Sequence, residues 1–567
     1  MSALVVPGVR VETIFDVLPP LPAPSGIIGV VGVVDRPPST ARLIGVSKVS
    51  ELSDILGPGT LFSLKQGVHA LHNGAAEAVV SAVAGGTAAS HDLLNQNSNP
   101  AVRLRSRFNR NWGAGGLAVN VKSILDANGT AVRVSLDLIV QGKVTETHAD
   151  LRVTPGAVDD LFDVINSRSR IVVAIDPNFD GDRPAAGNYT FATPAVAMPV
   201  LEDGSPNTML EILPADGADV DGMVVTIAHQ SGSTFALSIL DGGALQEAFT
   251  GLTTNPDSAN YLPYVLATQS TLIRVRAVSS LPSGERLPVA TNGPVVFSNQ
   301  GTSPAVSDYQ TAIDLLAEDK RIDLLVAAIE PARSDGEVHQ IHQALVAHAV
   351  ALADDGAPRI AFGSVTANET DDLELIKDHA STVRNRRFVL VAPPGAEGAV
   401  AGMIGRMNQQ ESPTFKPVPL HGIEPSSYRE SQLNRLLGKT TNALVVQDRA
   451  GRGVIVLRGL DTSGDQISVT RVADQAIRET KAISENFIGQ LNSQDARIAL
   501  KQQIVATFTR MERAGALVPS TDGSDPAFVV DVYSTQTDFA QGIVRIDIAV
   551  RPVRAIDYIY ATIRVKN

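Results

Sequence analysis

Residues 176–181, DPNFDG, place Asp176, Asn178, Asp180 and Gly181 at the positions from which a calcium loop wraps its ion, the glycine allowing the sharp turn. The twelfth position is Gly187, where a bidentate glutamate is needed, so an acidic surface loop is the expected reading. His339, His342 and His348 share one expected helix, and a pair at i, i+3 has chelating geometry. No acidic third ligand accompanies them at helical spacing, and Ile341 and Leu345 take the buried face, so all three are expected at the surface. Gly438-Lys439-Thr440 comes nearest to a phosphate loop, but Leu433 stands where its first glycine belongs and the run before it is helical. A helix C-cap is expected there instead. Arg103, Arg105 and Arg107 alternate along one strand face, followed by Arg110 and Trp112. That pattern can grip phosphate beside a stacking ring, or salt-bridge a strand within an interface, and on an acidic chain the second is expected. Neither a G-x-S-x-G elbow nor an H-E-x-x-H pair occurs. The residues therefore give no catalytic, cofactor-binding or metal assignment, and no enzyme is expected.

The elements that would position such groups are of α/β type. The runs IIGVVGVV, AEAVVSAVA, IDLLVAAI, RIAFGSV and RFVLVA read as buried strands separated by helical stretches, which implies a parallel sheet with right-handed crossovers. Ser307 with Gln310, and Ser334 with Glu337, have capping-box spacing ahead of two of these helices, and Gly356 stops the second. Ligands of such sheets sit at the carboxyl ends of the strands, here Glu330, Gly363, Ser364, Pro393 and Pro394. The sequence IEPARSDGE occupies the first of these places in lieu of a glycine-rich loop. Between residues 103 and 300 the pattern changes to short alternating runs broken by Gly, Pro, Asn and Asp, the signature of β-rich inserted domains.

The chain has 567 residues, enough for several domains and a large core. Sixty acidic residues against 47 basic ones give a formal charge of −13, which argues against a general nucleic-acid or anionic-membrane binder. Cysteine is absent, so thiolate metal sites, thiol nucleophiles and disulfides are excluded together. The first residues, MSALVVPGVRVETI, lack the charged and apolar tandem of a signal peptide, and no apolar run approaches membrane-spanning length. Synthesis and assembly in the cytoplasm are expected.

Both ends of the chain read as extended. In residues 543–550, Val544, Ile546, Ile548 and Val550 fall on one face while Arg545 and Asp547 fall on the other, the period of a half-buried strand. Past Pro552, Ile559, Ala561, Ile563 and Val565 alternate with Tyr558, Tyr560, Thr562 and Arg564. At the other end, Val9 and Val11 follow the turn dipeptide Pro7-Gly8 and precede the proline-rich LPPLPAPSG. A strand of this kind needs a sheet to take up its backbone groups, either its own or that of a neighbouring copy.

Read in order, PGVRVE, APSGIIGVVGVVDR, SELSDILG, HNGAAEAVVSAV, NRNWGAGGLAVNV, VLVAPPGAEGAVAGMIGRMNQQESPTFKPV, NALVVQDRAGRGVIVLRGLDT and the closing GIVRIDIAVRPVRAIDYIYATIRV resemble the contractile tail sheath proteins of myophages, pyocins and related contractile injection systems. The resemblance spans residues 7–565. It implies an α/β, multidomain (α+β) fold: an arm over residues 1–25, a sheath core over 26–100 and 301–400, β-rich outer insertions over 101–300, an inner domain over 401–550, and a second arm over 551–567.

The resemblance also implies a mechanical role, with copies stacked as hexameric rings around a tail tube and shortening to drive the tube through an envelope. The implied partners are other copies of the chain, the tail tube protein, and baseplate and tail terminator proteins, with no cofactor, no nucleic acid and no membrane insertion. Val9, Val11, Ile559, Ile563 and Val565 would then link subunits through a shared sheet, with hinges at Pro7, Gly8 and Pro552. A helix over residues 494–514 would face the tube through Arg497, Lys501, Gln502, Arg510 and Arg513, opposite an apolar side formed by Ile498, Ile504, Val505, Phe508 and Met511. Two other classes stay open on the residues alone. One is an α/β enzyme with β-rich substrate domains; the other is a β-rich surface adhesin, for which a secretion signal is expected and not seen.

Overall fold

Ile27–Gly32 (β1) is apolar at every position but its glycines, and every residue of it is buried. A strand covered on both faces belongs inside a parallel sheet, and β1 pairs in parallel with Glu77–Ala82 (β3) on one side and Leu324–Ala328 (β4) on the other. In this computed structural model, which describes residues 25–557 except 39, 179–182, 279–280 and 283–284, the sheet has eight strands. Ile360–Ser364 (β5), Phe388–Ala392 (β6) and Leu444–Arg449 (β7) continue it in parallel beyond β4. Its rims are antiparallel: Ile44–Val46 (β2) beside β3, and Gly453–Val456 (β8) beside β7. The fold is thus mixed α/β around a largely parallel sheet, with helices on both faces.

On one face, Ile341 and Leu345 of helix α1 (Asp335–Asp354) and Ile376 of helix α2 (Leu373–Thr382) pack with Val31, Leu325 and Leu390. On the other, Val30, Val326 and Phe362 meet the helices Lys65–His72 and Glu397–Arg406. These two helices touch backbone to backbone. A Cβ on Gly398 would lie 2.2 Å from the Gln66 carbonyl oxygen, and one on Gly402 2.2 Å from that of Ala70.

Ser334 caps α1 as the spacing with Glu337 predicts, the Ser334 N–H donating back to Glu337 Oε2 at 3.2 Å. The box expected from Ser307 and Gln310 falls elsewhere. Helix Val306–Leu315 begins behind Ala305, whose N–H is taken by Asp308 Oδ2 at 2.7 Å, because an aspartate at the third helical position reaches that donor equally well.

Between β3 and β4 the chain builds antiparallel sheets. Leu117–Leu125, Ala131–Val140 and Lys143–Leu151 pair in succession, with Val295–Val296 on the free side of the first. Gly187–Thr190, Val224–His229, Phe235–Asp241 and Ala244–Leu252 form a second four-stranded sheet. The arginine strand Pro100–Ser106 lies in a third, and its side chains bind inward. Arg103 pairs with Asp92 and Asp257, Arg105 stacks on Tyr264, and Arg107 is buried against Asp35 and the Ser169 carbonyl. They staple strand to neighbouring layers, as an interface strand does.

Candidate functional site

Past the sheet the chain forms a further layer from helix α3 (Ile467–Glu485), helix α4 (Gln494–Arg513), strand β9 (Phe528–Tyr533) and strand β10 (Arg545–Val550). The alternation read in residues 543–550 is observed. Ile546, Ile548 and Val550 pack with Phe528, Val530 and Val532 against Ile504, Phe508 and Met511 of α4, while Arg545, Asp531 and Asp547 lie on the other face. Strands β9 and β10 pair only with each other, so among the described residues this sheet has two strands and two open edges. Asp531 stands directly opposite Asp547. Such like-charged pairs weaken a hairpin, which leaves packing on α4 as its main support.

Val9, Val11, Pro7 and Gly8, and Ile559, Ile563 and Val565, lie outside the described residues. Pro552 does not, and the hinge expected there has no slack. It bridges to Leu517, Val553 donates to the Ala516 carbonyl at 2.9 Å, Ala555 donates to Gln466 Oε1, and Asp557 pairs with Arg458 at 3.3 Å. The segment is pinned to the body as far as Asp557.

On α4, Leu500, Ile504, Thr507, Phe508 and Met511 are buried, so the apolar stripe passes through Leu500; Ile498, expected in it, is 46% exposed. A one-residue difference in phase rotates that position into solvent. Of the five polar residues expected to face a tube, three are engaged locally. Arg497 donates to the Asn492 side chain at 2.6 Å, Lys501 reaches Asp531 at 3.3 Å, and Arg510 holds the buried Glu479 at 2.9 Å. Gln502 and Arg513 are exposed. The turn between α3 and α4 adds a feature that periodicity missed: Ile488 and Leu491 are 81% and 86% exposed. Paired bulky apolar side chains held in water are what an assembly surface offers; a reading of helices and strands passes over loop residues of this kind.

The carboxyl ends of the parallel strands border a cavity of about 940 Å³ where the strand order reverses around β1, among whose lining residues are Phe62, Arg110, Glu330, Arg333, Ser364 and Glu397. Glu330 Oε2 accepts from Tyr309 at 2.9 Å and from Arg333 at 2.7 Å, and Ser364 Oγ accepts from the Gly395 N–H at 3.0 Å. Gly363 lets the His342 ring lie against β5, and Pro394 lines the cavity where Pro393 leads out of β6. Burial lowers the Arg110 guanidinium to about 10 and raises the Glu397 carboxyl. Arg110 stacks 4.3 Å over Trp112. Tyr309, Glu330 and Arg333 hold one another, while Arg110 Nε and Glu397 Oε2 have no hydrogen-bond partner among the described residues. Of the other phosphate signals, Gly438 follows helix Glu430–Leu436 and donates to the Arg435 carbonyl, with no strand before it. Asp176 of the calcium-type loop accepts from the Asn178 N–H and pairs with Arg286 at 3.3 Å, while Asp180 and Gly181 lie outside the described residues.

The histidines depart from expectation. His342 and His348 are buried and His339 is half-buried, because α1 lies under both α2 and the turn that starts β5 and is covered on more than one side. An acidic neighbour is also present, and it comes from another part of the chain. Glu369, in the loop after β5, accepts from His339 Nε2 at 2.7 Å and His379 Nδ1 at 2.9 Å, and His379 Nε2 lies 2.9 Å from His342 Nδ1. Spacing along one helix carries no signal for a ligand supplied by a loop thirty positions on. Burial opposes charge on Glu369, yet the bonds from the two histidines outweigh it and hold the carboxyl at about 2.

No curated protein matches the chain. Among solved structures it is similar to the sheath tail protein of Desulfitobacterium hafniense, at 12% identity over 97% of each chain with a TM-score of 0.44, and to that of Listeria innocua, at 10% identity over 94% of this chain and 93% of the other, also at 0.44. It is similar as well to a chain of the helical sheath of the anti-feeding prophage in its contracted state, at 18% identity over 45% of this chain and 74% of the other, with a TM-score of 0.35. Residues 461–566, the unit of α3, α4, β9 and β10 with its pinned tail, match the phage tail sheath C-terminal domain. That match covers this unit alone, and over residues 461–566 the chain is similar to the C-terminal domain of phage tail sheath proteins.

Proposed function

We propose that the protein is the structural subunit of a contractile tail sheath, polymerising as stacked hexameric rings around a tail tube and shortening to drive that tube through a target envelope. The observation that carries the reading is the β9–β10 hairpin. It lies in the part of the chain that matches the sheath domain, one face is seated on α4, and both edges are open among the described residues. The terminal stretches around Val9 and Val11, and around Ile559, Ile563 and Val565, have the alternation of strands that would fill those edges from neighbouring copies. Each main-chain bond so formed contributes about 0.5–1.5 kcal/mol net, and a ladder of several holds subunits together while their bodies repack. In this reading Pro7 and Gly8 serve one arm as hinges and Pro552 is the hinge expected for the other, although the anchoring of residues 551–557 to the body speaks against free bending at Pro552.

In this reading the Gln502 and Arg513 side of α4 faces the tube, Arg497, Lys501 and Arg510 support it, and the ends of the polymer meet baseplate and terminator proteins. The polymer sits on a virion tail or a phage-derived injection device, is assembled in the bacterial cytoplasm, and works by stored packing energy without catalysis. Negative-stain microscopy of the purified protein tests it. Rings or striated tubes are expected, and a monomer at every concentration and in the presence of tail tubes would refute it.

A further inference from the structure

Three ligand atoms of metal-binding type converge beside the parallel sheet. One ligand atom each from His339 of α1, Glu369 of the loop after β5 and His379 of α2 lie within 4.8 Å of one another, and the nitrogens turned to Glu369 are His339 Nε2 and His379 Nδ1. Glu369 and His379 are fully buried, while the His339 side chain keeps 21% exposure and so marks the way in from solvent. We propose that these three residues form a site for a zinc-type divalent transition-metal ion, with the remaining coordination position open on the His339 side.

Charge gives the first reason. Glu369 is a buried carboxylate whose partners are two imidazoles and the Thr366 N–H, and nearby Asp335 is engaged by the Asn368 amide. Neither acid has a lysine or arginine partner among the described residues, whereas buried charges are ordinarily paired or coordinate a metal. Proton placement gives the second. Without an ion, the N–H groups of His339 Nε2 and His379 Nδ1 both point at Glu369, and His342 Nδ1 must donate to His379 Nε2. With an ion, each of the two ligating rings keeps its single proton on the far nitrogen. His379 Nε2–H then donates to His342 Nδ1, and His342 carries its own proton on Nε2, so every ring stays neutral and no proton is lost. His342 thereby becomes the outer partner that metal-bound histidines require to fix ring orientation.

Donor chemistry sets the class of ion. Two imidazoles and one carboxylate suit zinc, cobalt, nickel or copper, and calcium and magnesium take oxygen ligands instead. Binding would tie α1, α2 and the loop from 365 to 372 into one unit at the edge of the crevice, into which His342 also faces.

The test uses the full-length chain stripped with a chelator, then titrated with zinc by calorimetry and with cobalt by visible absorption. One ion per chain with tetrahedral-type cobalt bands is expected, and His339→Ala and Glu369→Gln are each expected to weaken binding by roughly tenfold or more. His339→Ala removes a mostly buried ring and one donor to Glu369, so a lower metal-free unfolding midpoint is expected; a parent-like circular dichroism spectrum at the titration temperature, with zinc raising the midpoint of the parent and not of the variant, separates lost ligation from lost folding. Absence of binding by the parent chain would show a proton-only network and overturn the proposal. Unchanged affinity in His339→Ala, or equal binding of calcium, would do so too.

Discussion

Arg359 donates from Nη1 to His348 Nε2 at 2.8 Å, and both residues are buried. A guanidinium has no acceptor to offer, so the histidine is neutral and carries its proton on Nδ1. Arg359 also donates to the carbonyls of Leu316 and Asp319, so this contact locks α1 to the turn that precedes β4.

Acid should loosen that lock. Burial first, then the Arg359 charge, lowers His348 to about 4, below its value in the unfolded chain. The stabilising contribution is therefore complete above about pH 6.5 and is lost as pH falls toward 4, because the unfolded chain takes up the proton first. The loss is on the order of 2–3 kcal/mol. Urea unfolding from pH 7 to pH 4 should show it. In His348→Gln, which keeps an acceptor for Arg359 without the titration, this component of the pH slope should vanish.

The helix pair under the sheet leaves no room for a methyl group. Gly402→Ala would push a Cβ onto the Ala70 carbonyl and drive the two helices apart. A loss of about 2–3 kcal/mol is expected, typical of overpacking in a well-filled core. Thermal unfolding of the isolated chain checks this, and an unchanged midpoint would mean that the helices separate freely.

Assembly and folding should come apart in truncations. Removing residues 558–567 deletes the proposed carboxyl-terminal arm beyond the anchored Asp557. The shortened chain should keep the unfolding midpoint of the parent while failing to form rings or tubes in the electron microscope. Tubes of normal length would exclude that arm from subunit linkage.

On α4, Gln502 and Arg513 give the clean test of tube contact. Arg513→Glu combined with Gln502→Glu should leave stability within about 0.5 kcal/mol, as for ordinary surface changes, and should abolish co-sedimentation with tail tubes. Arg510→Glu is a poor substitute. It strips the buried Glu479 of its cation and should cost about 1–2 kcal/mol by itself.

What the sequence made legible follows from how local each signal is. Residues 543–550 alternate strictly and Arg545–Val550 of them form a half-buried strand, and Ser334 with Glu337 starts α1 where the spacing places it, since both signals are complete within a few residues. The reading of His342 and His348 as surface residues failed because burial on α1 is set by α2 and by Arg359, which the helix's own period does not encode. Glu369 was missed for the same reason, and Ile488 and Leu491 because loops carry no period at all. Pro552 reads as a break in a strand, and only the bridge to Leu517 reveals that it is held.

The sheet's middle has a consequence for how the chain is made. Gly26, at the entrance to β1, donates its N–H to Asp323, at the entrance to β4 and 297 positions later, and the two strands then run side by side. A ribosome must therefore deliver the whole β-rich excursion before β1 meets its second neighbour. Until then the newborn N-terminal strands present an apolar flank with nothing against it. Folding should be limited by that late closure, and translation speed and chaperone supply should govern yield more than the stability of the finished subunit.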